Sequence, residues 1–200
     1  ELNKLGMGAI MHDVGKILIP PKILFKEDKL TNEEYEIVKE HSELGYDYIK
    51  DTREISQVSK EAILSHHERL DGSGYPRNLK DEEIHEFAKI VAVTDVYDAL
   101  TSDRTYRKRW PTHEAISFIM SNSDQKFDNY FVEKFIRNLA IYPNGTMVKL
   151  SDGRKAIVKE QNGNYPTRPV LRVIEDAEGN EHVEELDLLQ NLNVLIEEVY

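Results

Sequence analysis

The chain has no cysteine. That absence removes disulfide scaffolds, thiol catalysis, cysteine-type zinc fingers and iron–sulfur clusters together, and it fits a reducing cytoplasm. No apolar run approaches the roughly 18 residues of a membrane span, and the opening ELNKLGMGAIMHDVGK lacks a signal-peptide layout. Basic charge is scarce as well: 26 Lys and Arg stand against 37 Asp and Glu, for a formal net charge of -11. Duplex DNA and anionic membranes need a basic face, so neither is expected as a partner. What is present is 200 residues, 40% hydrophobic and 32% charged, enough for one ordinary domain and a small appendix. The first residue is not Met and a helical pattern starts at once with Leu2, Leu5, Ile10 and Met11, as expected of a piece of a longer protein.

The hydrophobic period divides the chain in two. Up to about Ala140 it is helical. From Thr31 to Lys50, Tyr35, Ile37, Val38, His41, Leu44, Gly45, Tyr48 and Ile49 recur at three- and four-residue steps, and Thr31 with Glu34 forms a capping box. Further helices are predicted over 55–69, 81–102, 112–121 and 129–140, with a Gly- and Pro-containing loop, Asp71-Gly72-Ser73-Gly74-Tyr75-Pro76, between the first two of these. After Tyr142-Pro143-Asn144-Gly145 short alternating runs follow (147–150, 156–159, 169–174, 182–185), separated by Asp152-Gly153, Asn162-Gly163 and Glu178-Gly179-Asn180. Those are hairpin signals. The expected fold is therefore mainly α, a helical bundle over residues 1–142, then a small antiparallel, barrel-like β module over 143–200. The tail carries eleven acidic and six basic residues, one histidine and no convergent polar cluster, which argues against a second active site there.

Four histidines and two aspartates need weighing together. His12-Asp13 ends the first helical segment, His41 lies within the next, His66-His67 ends another, and Asp95 sits inside the helix that follows. Singly, each has a bland reading as a satisfied, partly buried side chain. Their helical context argues otherwise: His41 falls on the apolar stripe with Val38, Leu44 and Gly45, and Asp95 on the stripe with Ala88 and Val91. Burying a carboxylate among aliphatic side chains costs several kcal/mol unless a cation compensates it. Inward imidazoles and carboxylates on facing helices can satisfy one another through metal ions.

At these residues the chain resembles an HD-GYP domain, a branch of the HD superfamily of metal-dependent phosphohydrolases. The resemblance is carried by His12-Asp13-Val14-Gly15-Lys16, by His41 in Lys39-Glu40-His41-Ser42-Glu43-Leu44-Gly45, and by His66-His67-Glu68-Arg69-Leu70-Asp71-Gly72-Ser73-Gly74-Tyr75-Pro76. Asp95 in Val93-Thr94-Asp95-Val96-Tyr97-Asp98-Ala99-Leu100 and Arg104-Thr105-Tyr106-Arg107 complete it, over about 2–139.

The resemblance implies hydrolysis of the bacterial second messenger cyclic di-GMP, to the linear dinucleotide or to GMP, by a hydroxide bridging two divalent metals. One metal would take His12, Asp13 and Asp95, and the other Asp13, His41, His66 and His67. Mixed imidazole and carboxylate ligands suit iron, manganese or zinc, and the resemblance favours iron or manganese. It places Lys16 on the scissile phosphate and Arg104 and Arg107 on the second phosphate and guanine edges. Tyr75 could stack on a guanine or pack on the bundle, Glu68 and Asp71 would orient imidazoles, and Asp98 reads as structural.

The family also has a histidine well upstream of its His-Asp pair, and some members add a glutamate for a third metal. Only eleven residues precede His12, so a third metal is not expected here and the first metal's shell would be incomplete in this chain. In Phe127-Asp128-Asn129 the third residue departs from the usual proline, which touches only a helix start. Expected partners are an upstream sensory or receiver region, diguanylate cyclase domains and a second copy in a homodimer, all in the cytoplasm. The alternatives are a non-catalytic module that binds cyclic di-GMP or docks a cyclase, and a phosphohydrolase for another cyclic dinucleotide.

Overall fold

The computed structural model describes residues 1–103, 108–163 and 165–200. The order is α1 (Leu2–Met11), a 3-10 turn (Val14–Leu18), α2 (Pro21–Leu24), α3 (Asn32–Lys39), α4 (His41–Ile49) and α5 (Gln57–Ser65). A second 3-10 turn (Asp81–Glu83), α6 (Glu86–Thr101), α7 (Thr112–Ser121), α8 (Asn129–Arg137) and five strands follow. The strands are β1 (Met147–Leu150), β2 (Lys155–Glu160), β3 (Val170–Glu175), β4 (Glu181–Asp187) and β5 (Ile196–Val199). Two compact units result, one formed by Glu1–Trp110 with Phe118–Val132 and the other by Pro111–Ser117 with Glu133–Tyr200. Among the described residues no helix is long and apolar enough to cross a membrane.

In the helical unit α5 is the central element, packed against α1, α4 and α6. It starts at Ser56, whose Oγ accepts from the Ser59 amide at 3.2 Å. Its apolar positions serve two clusters: Ile63 packs with Ile49, Ile55, Met11 and Val14, while Ala62 packs with Phe87, Val91, Leu5, Ala9 and Val58. Burying each such side chain is worth about 1.5–3 kcal/mol. The expected capping box is present: Thr31 Oγ1 accepts from the Glu34 amide at 3.2 Å, and Glu34 Oε2 from the Thr31 amide at 2.8 Å. The single helix expected over 31–50 is two, breaking at Glu40, where the amide closes a tight turn on Ile37 O at 3.2 Å. The helix expected from Asp81 begins instead at Glu86, with the His85 ring capping the Phe87 amide at 3.1 Å. Asp128 Oδ1 takes the Tyr130 amide at 3.0 Å, so the helix start after Phe127 is capped without a proline.

The break at Glu40 frees α4 to meet the Val14–Leu18 turn main chain to main chain. A Cβ on Gly15 would lie 1.9 Å from His41 O and 2.5 Å from Gly45 N, and Gly45 is itself within 3.1 Å of Gly15 N at its own Cβ position. Only hydrogen fits at Gly15, and a Cβ at Gly45 would be tight. The contact sets Asp13, immediately before the turn, beside His41 at the start of α4.

The strands form one antiparallel sheet in the order β4-β3-β2-β1-β5. Helices followed by antiparallel strands were expected, and the chain has that order. The barrel-like closure was not found, because β4 and β5 are the two open edges. One face is buried through Val148, Leu150, Ala156, Val158, Leu171 and Val173. The turns at Gly153 and Gly179 have φ of 90° and 85°, which glycine supplies without strain.

The Gly15 contact makes a stability prediction. Replacing Gly15 by Ala forces the turn off α4 and should cost about 3 kcal/mol. Gly6, inside α1 with nothing within 4 Å of its Cβ position, should gain about 0.5–1 kcal/mol from the same change. Urea denaturation of the two variants checks the contrast; equal effects would refute the close-contact account.

Candidate metal centre

Asp13, His41, His66 and His67 offer one ligand atom each, all within 4.8 Å of one another. They come from three places: the end of α1, the first residue of α4, and the turn that closes α5. His12 and Asp95 flank this group, with His12 Nε2 3.4 Å from Asp13 Oδ2 and 3.6 Å from Asp95 Oδ1. All six residues expected to hold metal thus converge on one side of the helical unit.

Three of the imidazoles are aimed by the same device. His12 Nδ1 donates to Ala9 O at 2.7 Å, His41 Nδ1 to Val38 O at 2.7 Å, and His66 Nδ1 to Ile63 O at 2.8 Å. A carbonyl can only accept, so in His41 and His66 the proton sits on Nδ1 and a lone pair remains on Nε2. Those two Nε2 atoms face each other at 3.3 Å. Neither has a proton to share while the rings are neutral. Burial lowers the pKa of His41, of His66 and of His67, and neighbouring histidines reinforce the shift in each case. Protonation is therefore an expensive remedy, and a shared cation is a cheap one.

The carboxylates give the same indication. Asp13 Oδ2 receives Lys16 Nζ at 2.5 Å, whereas Asp13 Oδ1 is buried without a hydrogen-bond partner, 3.4 Å from His41 Nε2. Leaving a buried acceptor unpaired costs about 1–3 kcal/mol, more for a charged group. Burial opposes ionisation of Asp13, yet His12 and Lys16 outweigh it and hold the carboxyl well below its usual range. Asp95 is likewise held low, against burial, by His12 and His66. For His12 burial is overcome by Asp13 and Asp95, and the imidazole is pushed up to about 10. An orphaned anionic oxygen beside the His41 Nε2 lone pair, with ligand atoms of His66 and His67 within 4.8 Å, is a donor set that fits a divalent metal, and imidazole with carboxylate suits the transition metals better than magnesium.

The remaining expected residues are placed as follows. Lys16 lies in the site through its bond to Asp13. Tyr75 stacks on His67, with ring centroids 4.6 Å apart and planes at 27°, and Lys39 Nζ stands 5.5 Å from its centroid. Burial raises the Tyr75 pKa, so the phenol stays neutral. Arg104 and Arg107 lie outside the described residues. Glu68 and Asp71 do not orient imidazoles. Glu68, 2% exposed, accepts the Arg77 amide at 2.7 Å and the Leu79 amide at 3.0 Å, and Asp71 accepts the Ser73 amide at 2.9 Å. Both carboxylates are used up in shaping the Gly-Tyr-Pro loop, because backbone amides there have no other acceptor, and main-chain carbonyls aim the rings instead.

Two residues gain a place they lacked in the sequence reading. Asp98 lines a cavity of about 260 Å³ with Ala9, His12, Asp13, Val91, Thr94 and Asp95. Its position one turn after Asp95 was the available signal. Arg69 donates from Nη1 to His66 O at 3.2 Å and to Glu68 O at 2.8 Å, a contact that no spacing rule foretells.

A family model described as HD domain matches residues 1–130, and one described as a KOW domain associated with HD domain matches residues 147–200. A cyclic di-GMP phosphodiesterase of Pseudomonas aeruginosa is 39% identical over 176 residues, covering 88% of this chain and 42% of that protein. A cyclic di-GMP phosphodiesterase response regulator of Xanthomonas campestris is 40% identical over 141 residues, covering 70% and 37%. A 3'3'-cGAMP-specific phosphodiesterase of Vibrio cholerae is 36% identical over 139 residues, covering 69% and 27%. The chain thus spans less than half the length of these relatives. Among solved structures, an HDG"Y"P protein from Bdellovibrio bacteriovorus matches with a TM-score of 0.52 at 23% identity, over 64% of this chain and 40% of that one, a likeness of fold.

Metal loading should be visible as stability. With Mn2+ at a hundredfold excess over its dissociation constant the folded state gains about 2.7 kcal/mol, or roughly 5–10 °C in Tm for this size. A chelator should reverse the shift, and Asp13→Ala should abolish it. An equal Mn2+ response in that variant would place the binding elsewhere.

Proposed function

The chain belongs to the HD domain family, and on that footing we propose that the protein it is part of is a metal-dependent phosphodiesterase hydrolysing cyclic di-GMP to the linear dinucleotide or to GMP. The observation that carries this reading is the buried, unpartnered Asp13 Oδ1 3.4 Å from His41 Nε2, which in turn faces His66 Nε2 at 3.3 Å. It is supported by relatives named for that substrate at 39% and 40% identity. We assign two cations, one held by His12, Asp13 and Asp95 and one by Asp13, His41, His66 and His67, with iron or manganese ahead of zinc.

Bound divalent cations would supply Lewis-acid activation of water and neutralise charge gathering on the phosphodiester. The chain's own residues do the rest. Asp13 has one oxygen toward His12 and Lys16 and the other toward His41, so it can serve both halves of the cluster. Lys16 keeps one proton on Asp13 and has further ammonium protons to offer a phosphate oxygen, adding charge where the transition state gains it. The carbonyls of Ala9, Val38 and Ile63 hold three rings against rotation. Tyr75 covers His67 and walls that side of the site from water. Arg104 and Arg107 are assigned to the second phosphate and the guanine edges on their motif alone. An upstream sensory or receiver region, diguanylate cyclase partners, homodimerisation and a cytoplasmic setting belong to the same proposal, with residues 143–200 as a structural or regulatory module.

Turnover of cyclic di-GMP by the intact protein with Mn2+ or Fe2+ tests this. Asp13→Ala should lower kcat at least about 1,000-fold and Lys16→Ala about 100-fold, the scale of losing one transition-state donor. Unchanged hydrolysis in Asp13→Ala would overturn the assignment. Because one relative is named for 3'3'-cGAMP, cyclic GMP-AMP is the second candidate substrate, and faster turnover of it would reassign specificity.

A further inference from the structure

His67 differs from the other three histidines of the cluster. Their Nδ1 atoms are each held by the carbonyl three residues earlier, whereas among the described residues the His67 ring makes no hydrogen bond. Asp95 Oδ2 is 3.9 Å from its Nδ1, beyond hydrogen-bond reach. The ring is packed by Tyr75 at 4.6 Å, by His66 at 4.1 Å and edge-on by His41 at 5.0 Å between centroids, contacts that confine the ring but give neither nitrogen a hydrogen-bond partner. With no hydrogen bond on the ring, the direction of this imidazole rests on those ring contacts and on the main chain that carries it.

That main chain is tied down on every side. The Glu68 amide donates to Ser65 O at 2.9 Å, and the Tyr75 amide to His67 O at 3.3 Å. The other two carbonyls of the turn, His66 O and Glu68 O, both receive Arg69 Nη1. They belong to the peptide groups on either side of the His67–Glu68 peptide, so one guanidinium nitrogen bridges the residue from both flanks. Helix α5 ends at Ser65, and a terminal cation is favourable where carbonyls are left over. Arg69 is otherwise uncommitted. Among the described residues no carboxylate pairs with it, and its guanidinium carbon sits 5.2 Å from the Phe127 ring centroid, a cation–π contact that anchors it.

We propose that Arg69 is a positioning residue for His67, doing through the peptide groups what a carbonyl on Nδ1 does for His12, His41 and His66. Its effect on metal affinity rests on the reading of the cluster as a metal centre; its effect on the ring does not.

The test uses the full chain stripped of metal, with histidine ring resonances followed by long-range 1H–15N NMR. Arg69→Ala should shift and broaden the His67 ring signals more than those of His12, His41 and His66, whose Nδ1 bonds to carbonyls remain. Arg69→Lys, which keeps the charge but loses the rigid fork, should give an intermediate response and serves where the alanine variant folds poorly. Mn2+ affinity should fall about tenfold in Arg69→Ala, the scale of losing an outer-shell support, with no further loss when Arg69→Ala is added to His67→Ala. Unmoved His67 signals, or an equal loss of affinity in the two backgrounds, would overturn the proposal. A His67 response in a protein that binds no Mn2+ would uphold the positioning and remove the metal reading instead.

Discussion

The site depends on one contact, the approach of Gly15 to the main chain of α4. Asp13 lies two residues before Gly15, and His41 begins α4, so the separation of carboxylate and imidazole is set by how closely two backbones can meet. With a Cβ position 1.9 Å from His41 O, the answer is as closely as glycine permits. A side chain there would lift the turn, carry Asp13 and Lys16 away with it, and leave the His41 and His66 rings facing each other across a gap. Packing density, usually discussed as a matter of stability, here sets the separation of Asp13 and His41.

The electrostatics of the cluster follow from that compression. Burial, reinforced by nearby cationic groups and histidines, lowers the pKa of three imidazoles, while Asp13 and Asp95 raise that of His12 against burial. One ring thus neutralises part of the Asp13 and Asp95 charge, and one Asp13 oxygen has no hydrogen-bond partner. The apolar clusters around Ile63 and Ala62 on α5 offset that cost, since they pack the same helix whose end carries His66 and His67. A net charge of -11 is no obstacle to an anionic ligand in such a place, because the field there is set by a few groups at short range and by bound cations.

Much of this was legible in the sequence because the signals were local. The Thr31–Glu34 capping box, the stripe that turns His41 inward and the motif around His66-His67 all depend on neighbours within a few residues. What was not legible depended on contacts between elements. The break at Glu40 exists because α4 must meet the Gly15 turn, and the late start of α6 reflects a cap by His85 that competes with the acidic run before it. Glu68 was assigned to the rings because it follows them in sequence, yet its carboxylate turns back to the amides of Arg77 and Leu79. Strand β5 escaped notice since Ile196-Glu197-Glu198-Val199 barely alternates and is exposed along nearly all its length.

The same strand explains where much of the acidic charge goes. An antiparallel sheet that does not close has two edges, and each presents unpaired amides and carbonyls to any other extended chain. In this sheet the edges are β4 and β5, and they carry Glu181, Glu184 and Glu185 on one side and Glu197 and Glu198 on the other. Arg154 and Lys159 pair with Glu184 and Glu185, while charged side chains along an edge still disfavour pairing with another strand. Inner strands β1, β2 and β3 instead hold the buried Val148, Leu150, Ala156, Val158, Leu171 and Val173. The acidity of the tail therefore belongs to the geometry of an open sheet and is independent of the ligand chemistry of the helical unit, where the decisive charges number only a handful.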